Sequence, residues 1–476
     1  MVLFDAPSWL LGTIGGLTTL CFGVHFHFGE GAGHKKAGAG KDVDGDDGSS
    51  GSGGGGGGDG GAFRAFQRNY LFVYYVIMLA DWLQGTNMFT LYQSYNVDIG
   101  ALFITGFASS ALFSVFIGPL VDRHGRKNAC VVYCVLEVII NVLEHFDHFG
   151  LLMVGRVTGG LSTALLFTSF ESWMVTQHRA LGFSEAQLTR TNTLATIGNG
   201  VAAVAAGFLA QVAMAWGGEI GPFQLAIALT IVGLVAVAGT WEENYGNGGD
   251  GDGDASVQAA SRKGGGGEGE GEGATVSKAL ALIGADRSML LAGLTQSLFE
   301  GAMYTFVFNW VPTLQGSTPA LCDGCSAAQS FSRIQGLIFA AFMLCISLGG
   351  VLFPLLVARM PVARVAVAVY AVAALAVVVP AFTTSFFPCF GAFLLLETCV
   401  GIFFITSAEM RKQIFPGNML GTIMNVFRVP LNVVVVTGTK LNGASTVFSM
   451  CFAWFATSAL LQWQLAKRLD AKAKTA

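Results

Sequence analysis

The chain has 476 residues, of which 53% are hydrophobic and only 12% charged, and its mean hydropathy is +0.59. Soluble globular domains carry about 25% charged residues, so this composition excludes a soluble protein and predicts that most of the chain faces lipid or other helices. The formal net charge of −4 supplies no basic surface for nucleic acid.

Thirteen apolar segments of membrane-spanning length follow one another along the chain, since a transmembrane helix needs about 20 mostly apolar residues. They lie near 8–28, 69–94, 99–120, 128–146, 149–176, 191–214, 221–241, 288–313, 331–357, 362–381, 387–408, 418–439 and 443–466. The last twelve form two sets of six, 69–241 and 288–466, of similar length, as in carriers built from repeats. The sequence therefore predicts an all-α membrane protein with two six-helix bundles and one extra N-terminal transmembrane helix.

The leading segment, within residues 1–28, is predicted to stay in the protein as that extra helix. A signal peptide is the alternative, but signal peptides begin with basic residues and end at a small-residue cleavage site. Here the early charge is Asp5, and no such cleavage site is clear.

Two segments are too polar and too rich in glycine for membrane or core. Residues 29–68 consist largely of Gly, Ser, Asp and Lys, and residues 242–287 begin with a long run of Gly, Glu and Asp. Such compositions form flexible, solvated linkers. The bundles at 69–241 and 288–466 are thus predicted to be joined by a linker, and residues 467–476 form a basic tail.

The charged residues of the short loops predict the orientation, because loops rich in Lys and Arg face the cytoplasm. One side of the membrane collects Arg123, Arg126, Lys127, Arg179, Arg190, Arg359, Arg364, Arg411, Lys412 and the basic tail. The other side collects Asp98, Glu144, Asp147, Glu219 and Asp323. We call these sides the basic end and the acidic end, and we expect the basic end and both linkers in the cytoplasm.

A short polar turn between two apolar segments carries one acid and three bases in the pattern Gly118-Pro-Leu-Val-Asp122-Arg123-His-Gly125-Arg126-Lys127. The two glycines permit close backbone approach, and Asp122 can pair with the loop bases or with the positive N-terminus of a neighbouring helix near Asn418. The pattern resembles the signature loop of the major facilitator superfamily, which implies a gate at the basic end. A plain positive loop is the alternative. The corresponding turn in the second half lacks the acid.

Ionisable side chains occur inside the predicted spans, where they usually face the interior of a bundle. They are Asp81, Glu137, Arg156, Glu171, Glu300, Glu397 and Arg428. A polar cavity between the two halves is one interpretation, and structural pairing of acids with bases is the other. The surplus of acids fits a cationic solute, whereas arginines with amide donors fit an oxyanion.

Two cysteines in the motif Cys322-Asp-Gly-Cys325 lie in a loop at the acidic end, where a local disulfide is the first interpretation. A metal site would need two further ligands, and none is close in the sequence. No nucleotide-binding or hydrolase motif occurs in a suitable context. The chain is therefore not predicted to be an enzyme, no cofactor is expected, and transport would use a gradient.

Several stretches resemble the molybdate-anion transporter subfamily of the major facilitator superfamily. They are Asp81-Trp-Leu-Gln-Gly85, Leu91-Tyr-Gln93, Val121–Asn128, Gly155-Arg156 with Gly159–Phe167, and Phe170-Glu-Ser-Trp173. The extra helix before the twelve also matches that subfamily. The resemblance is strongest from Asp81 to Trp173 and weaker in the second half.

This resemblance implies the twelve-span carrier fold and uptake of molybdate, a tetrahedral divalent oxyanion, by a multi-pass protein of the plasma membrane, which we expect to be monomeric in the lipid bilayer. Arg156 and Arg428 would supply positive charge, and Gln84, Asn309 and Asn425 would supply amide donors. Asp81, Glu171 or Glu300 would couple protons. Two rivals remain open: a carrier of another small solute such as sulfate, and a membrane sensor or scaffold that does not transport.

Overall fold

The structure, a computed structural model, describes residues 6–34, 59–246, 272–416 and 419–475. Within these ranges every regular element is a helix. Most of the two predicted linkers, together with Asn418, lies outside the described residues.

Fifteen α-helices lie in the described part of the chain. The first seven are α1 (Ser8–His34), α2 (Asp59–Ser94), α3 (Ile99–His124), α4 (Arg126–Leu143), α5 (Phe149–Ala180), α6 (Glu185–Gly217) and α7 (Gly221–Thr240). The others are α8 (Glu272–Ala285), α9 (Arg287–Gln315), α10 (Ala327–Ser332), α11 (Gln335–Val357), α12 (Val362–Phe382), α13 (Phe386–Ile414), α14 (Leu420–Thr439) and α15 (Ala444–Thr475).

Seven segments of the described residues are long and apolar enough to cross a membrane, and α3 makes an eighth if its bent halves count as one span. The bend of 58° falls between Ser114 and Phe116, where the ring of Pro119 removes one helical hydrogen bond and crowds the carbonyl four residues earlier. Helix α4 is not among these segments, because its 18 residues include three charged side chains, Arg126, Lys127 and Glu137. The arrangement of one plus twelve spans therefore stays a prediction.

Several helices extend into segments that the sequence analysis assigned to linkers or to the tail. Helix α1 continues to His34, α2 begins at Asp59, and α15 continues to Thr475. The first turns of α2 bury Phe63, whose ring contacts His178 and Phe183. Hydropathy identifies the part of a helix that lies within the membrane. Apolar side chains beyond that boundary can still pack on neighbouring helices.

Helix α8 also lies inside the predicted linker 242–287. Its Ala279 and Ile283 are buried against Phe415, Ile423 and Phe427. These contacts hold α8 against α14 at the basic end. The linker is therefore helical in its last part, because the polar run ends before residue 272 and an apolar stripe follows.

The first half, α2 to α7, and the second half, α9 to α15, each bury an apolar core of their own. Helix α1 belongs by contact to the second half, where it packs on α11. Trp9 makes edge contacts with Phe386, Phe387 and Phe390 at the start of α13. The chain therefore begins α1 at the acidic end, and α2 starts from the basic end.

The two halves meet toward the acidic end. A Cβ atom on Gly207 of α6 would lie 2.5 Å from the carbonyl oxygen of Gly336 in α11, and the Gln335 side chain donates to the Thr86 carbonyl at 2.6 Å. The rings of Phe103 and Phe308 lie 4.7 Å apart across the same interface. Polar side chains nearer the middle of the halves or the basic end are exposed instead, and these are Glu171, Asn425 and Arg428.

The residues that follow α7 form a clasp, 241–246, on the basic end of the first half. Trp241 stacks on Trp173 with ring centroids 3.7 Å apart. The Glu243 carboxylate accepts hydrogen bonds from the backbone N–H groups of Lys127 and Asn128, at 2.8 and 2.9 Å. An acid 116 residues away in the sequence thus caps the N-terminus of α4. Residues 242–246, which the sequence analysis placed in the linker, thus pack on the first half.

Replacing Glu243 by Gln is expected to lower the free energy of unfolding by about 1 kcal/mol, because the carboxylate satisfies N–H groups and opposes the positive end of the helix dipole. Glu242→Gln is the matched control, since Glu242 carries the same charge but is exposed. Thermal unfolding of the purified protein in detergent measures the effect. Equal midpoints for the two variants would contradict the capping role.

Replacing Gly207 by Ala is expected to destabilise the closed acidic end by about 1–3 kcal/mol, as overpacking a tight contact does. The new methyl group would meet backbone atoms of Gly336 and Ala340, which cannot rotate away. Gly239→Ala is the control, because no atom lies within 4 Å of its Cβ position and alanine favours a helix. A midpoint for Gly207→Ala at or above that of Gly239→Ala would contradict the tight contact.

Candidate functional site

A hydrogen-bonded network occupies the middle of the first half. The Glu137 carboxylate accepts from the Gln84 amide at 2.8 Å and from the Ser162 hydroxyl at 2.5 Å. The Asn141 amide donates to the Glu137 carbonyl at 2.7 Å. Glu137 and Gln84 are both buried, so the amide N–H group that Gln84 was predicted to offer to a substrate is held by Glu137 in this structure.

Arg156 forms an ion pair with Glu144 near the acidic end. Its guanidinium lies 2.5 Å from the carboxylate, and the two side chains are only 11% and 1% exposed. The Tyr92 hydroxyl donates to the same carboxylate oxygen at 2.8 Å, and the Tyr92 ring lies under the guanidinium. Glu144 thus neutralises the charge of Arg156, which is the structural pairing that the sequence left open.

Asp81 and Glu171, two predicted proton carriers, lie in different settings of the first half. Asp81 is half-buried in the middle of α2, and the charge that acts on it is that of Glu137. Within the described part of the chain, no side chain donates a hydrogen bond to its carboxylate. Glu171 is exposed and lines a pocket of about 210 Å³ between α2, α5 and α6, together with Tyr70, Tyr74 and Asn192.

The second half presents a polar face on α14. Asn425 and Arg428 are both exposed and lie one helical turn apart. The described residues provide no hydrogen-bond or ion-pair partner for the Arg428 guanidinium. Its charge acts on Glu300 and on Tyr304 of the adjacent helix α9. Arg428 is therefore a cation in the middle of a span that no acid neutralises by direct contact.

The remaining predicted residues of the second half lie on α9. Glu300 accepts a hydrogen bond from the Gln296 amide at 3.2 Å. Asn309 lies about 13 Å farther toward the acidic end, from the rise of 1.5 Å per residue, and donates to the Thr305 carbonyl at 2.7 Å. Glu300 therefore lies on the helix that packs against α14, and Asn309 lies apart from it on the same helix.

Arg411 is a charged group at this site that the sequence analysis assigned to a loop. Helix α13 continues to Ile414, so that Arg411 lies in its last turn. Its side chain lines a small cavity with Gln296, Tyr370 and Ser407, and its charge acts on Glu300. The apolar run before it ends near residue 408, which is why a hydropathy criterion placed Arg411 outside the membrane.

The predicted gate residues form contacts within the first half. Asp122 accepts from the Nε and Nη2 atoms of Arg126 at 2.9 and 2.7 Å, and the Lys127 ammonium donates to the Ala238 carbonyl at 3.1 Å. Gly125 adopts a φ of +100°, and a Cβ there would lie 2.6 Å from Glu243, so only glycine fits. Gly118 lies inside α3 and Arg123 is exposed.

At the acidic end, a disulfide joins Cys322 and Cys325, whose Cα atoms lie 5.3 Å apart. Within the described residues, no group of three or more His, Cys, Asp or Glu side chains could hold a metal ion. The polar groups of the two halves offer hydrogen bonds and charge to a solute.

Comparisons with known proteins agree with this architecture. Residues 51–403 match the MFS_5 family, which is described as sugar transporters with 12 transmembrane segments. A molybdate-anion transporter of Xenopus laevis is 30% identical over 416 residues, which cover 82% of this chain and 83% of that protein. The molybdate-anion transporter of Takifugu rubripes is 29% identical over 399 residues, or 79% of each chain.

Solved structures of transporters share the fold at low sequence identity. The nucleoside transporter NupG (D323A mutant) aligns with a TM-score of 0.62 at 11% identity and covers 84% of this chain and 99% of its own. The peptide transporter POT in complex with sulfate aligns with a TM-score of 0.63 at 12% identity, over 85% and 94% of the two chains. The chain is thus a multi-pass membrane transporter, and it belongs to the molybdate-anion transporter family of the major facilitator superfamily.

Proposed function

We propose that this transporter imports molybdate across the plasma membrane by alternating access. The names of its relatives support the solute. One observation of the structure carries the proposal, namely the exposed Arg428 guanidinium, which has no direct partner among the described residues. A guanidinium binds oxyanions through two parallel N–H donors, so a tetrahedral dianion is a fitting ligand for it.

The other predicted substrate groups take graded roles in this proposal. Asn425 lies one helical turn from Arg428 on α14 and is exposed like it. Gln84 and Asn309 each use one amide N–H in an intramolecular hydrogen bond, so each has only its second N–H to offer to the anion. Arg156 would have to break its ion pair with Glu144 before it could bind the anion. We therefore place Arg156 along the acidic-end part of the transport path and not at the first binding step.

Alternating access is supported by where the two halves touch. Their contacts gather toward the acidic end, and polar side chains of both halves are exposed toward the basic end. If the basic end faces the cytoplasm, as the loop charges indicate, this arrangement is the one that releases the solute inward. The Asp122 loop would then gate the basic end when the halves close there.

Proton coupling, which is part of this proposal, is best supported at Asp81. The described residues place neither a cation nor a hydrogen-bond donor against its carboxylate, so that protonation would break no contact. Glu300, by contrast, accepts a hydrogen bond from the Gln296 amide at 3.2 Å. The described residues likewise place no cation or hydrogen-bond donor against the Glu171 carboxylate. Glu171 is exposed, however, and it lies closer to the basic end.

Cells that lack their own molybdate carrier are expected to accumulate molybdate when they express this chain. Uptake should persist in excess sulfate, and Arg428→Gln should lower it at least tenfold at equal surface expression, because the unpaired cation is lost. Lys412→Gln is the matched control, since Lys412 is an exposed base that pairs with Glu409. No uptake by the native protein at the cell surface would overturn the molybdate proposal, and uptake that sulfate abolishes would favour a general oxyanion carrier.

An inward proton gradient is expected to stimulate uptake by the native protein severalfold, and Asp81→Asn should remove this stimulation while uptake without a gradient persists. Glu171→Gln and Glu300→Gln are measured in parallel, so that the acid that couples is identified. Glu242→Gln controls for the loss of one exposed acid. Equal stimulation of Asp81→Asn and the native protein would exclude Asp81 as the coupling group.

A further inference from the structure

The pocket of about 210 Å³ between α2, α5 and α6 is not used by the proposed molybdate site. We propose that this pocket binds a small protonated amine. The Glu171 carboxylate and neighbouring oxygen atoms hold the ammonium group, and the apolar part of the ligand lies against aromatic rings. This inference goes beyond the proposed function, because a cation site in the first half does not depend on which solute the carrier imports.

Three helices build the pocket, and each contributes two side chains that lie one helical turn apart. Residues at this spacing lie on the same face of a helix. The pairs are Tyr70 with Tyr74 on α2, Phe167 with Glu171 on α5, and Asn192 with Thr196 on α6. The rings of Tyr70 and Tyr74 stack with their centroids 5.7 Å apart. Three helix faces thus converge on one space, and none of the six side chains comes from a loop.

Most polar groups of this lining have no partner. Tyr70 is only 2% exposed, yet its hydroxyl makes no hydrogen bond with any residue that the structure describes. The same holds, among those residues, for the Tyr74 hydroxyl, the Asn192 side-chain amide and the Glu171 carboxylate. A buried polar group without a hydrogen bond costs free energy. The Tyr70 hydroxyl therefore indicates that water or a ligand in the pocket completes its hydrogen bonds.

The chemistry of these groups favours a cation over an anion. The Glu171 carboxylate only accepts hydrogen bonds, and the Tyr70, Tyr74 and Asn192 oxygen atoms accept them as well. A protonated primary amine brings three N–H donors and one positive charge, which match these acceptors and the charge of Glu171. The described residues that line the pocket include no Lys, Arg or His. An oxyanion would therefore meet the repulsion of Glu171 without a compensating base.

The rest of the lining is apolar and limits the size of the ligand. Met78, Leu166 and Phe170 are buried and form this part of the wall. They suit the hydrocarbon part of an amine, and a ring face also attracts a cation. Pockets for drug-sized ligands measure about 300–1,000 Å³. The smaller volume here fits an amine with one ring or a short alkyl chain.

The aromatic wall is fixed in place by its neighbours. The Tyr70 ring stacks on Trp241 of the clasp at 6.1 Å, and Trp241 stacks on Trp173 at 3.7 Å. The Tyr75 hydroxyl donates to the Leu194 carbonyl at 2.6 Å and so joins α2 to α6. A pocket whose walls are already ordered loses less conformational entropy when a ligand binds.

The experiment measures binding of phenylethylamine by the purified, full-length protein in detergent at neutral pH, where the amine is protonated. Isothermal titration is performed on the native protein, Glu171→Gln and Tyr70→Phe. Glu171→Gln should weaken binding about tenfold or more, because a hydrogen bond to a charged group is lost. Tyr70→Phe removes one acceptor but keeps the ring, and it should weaken binding severalfold. Glu242→Gln should bind like the native protein, since Glu242 is an exposed acid of the same half that does not line the pocket.

A neutral analogue tests whether the pocket recognises the charge. Phenylethanol has the same ring and chain with a hydroxyl in place of the ammonium group, so it also controls for partition into detergent. The native protein should bind it at least severalfold more weakly than phenylethylamine. Equal affinity for the two compounds, native affinity for phenylethylamine in Glu171→Gln, or no binding of phenylethylamine by the folded native protein would each overturn the amine site.

A conservative variant keeps the test valid if Glu171→Gln does not fold. Glu171→Asp keeps the charge but shortens the side chain by one methylene group, so phenylethylamine binding should weaken while the preference over phenylethanol remains. Thermal unfolding of each variant confirms that the protein is folded. Native affinity in both folded Glu171→Asp and folded Tyr70→Phe would exclude this pocket as the binding site. Since no molybdate enters the measurement, its outcome is separate from the outcome of the uptake experiments.

Discussion

The high cost of an uncompensated charge inside a membrane governs the polar interior of this transporter. Such a charge must pair with an opposite charge, meet water or bind a ligand. Arg156 meets the requirement through Glu144 and Tyr92, and this cluster joins α5 and α2 to the end of α4 near the acidic end. Arg428 meets this requirement because it is exposed to water. Its contact with water therefore depends on whether the halves are open at the basic end.

The closure at the acidic end depends on small residues and on hydrogen bonds such as Gln335 to Thr86, and among the described residues no ion pair joins the two halves there. Gly207 and Gly336 bring the backbones of α6 and α11 into contact, and such close approach is typical of helix packing where lipid removes any hydrophobic advantage of larger side chains. Dispersion contacts of this kind carry no desolvation cost when they separate. A carrier can therefore open at that end more readily than if an ion pair had to be broken.

The sequence predicted the all-helical membrane fold and the polar residues that lie inside apolar segments, because composition and hydropathy carry that information directly. It could not predict that Glu144 takes Arg156, because the pairing depends on how α4 and α5 rotate against each other. It also missed the Glu243 cap on α4 and the place of Arg411 in the last turn of α13. Both residues lie beyond an apolar run, where hydropathy no longer distinguishes a helix end from a loop, and only the fold shows what they contact.

The positions of the acids and the arginines bear on how coupling could arise. Arg428, which is proposed to bind the anion, lies in the second half, whereas Asp81, the acid least committed to other contacts, lies in the first. A solute on one half and a proton on the other do not interact by direct contact when the halves are apart. Coupling then requires that the halves approach each other. The proton and the anion would be linked through the closed states of the carrier, because the occupation of each half would determine which closed state can form.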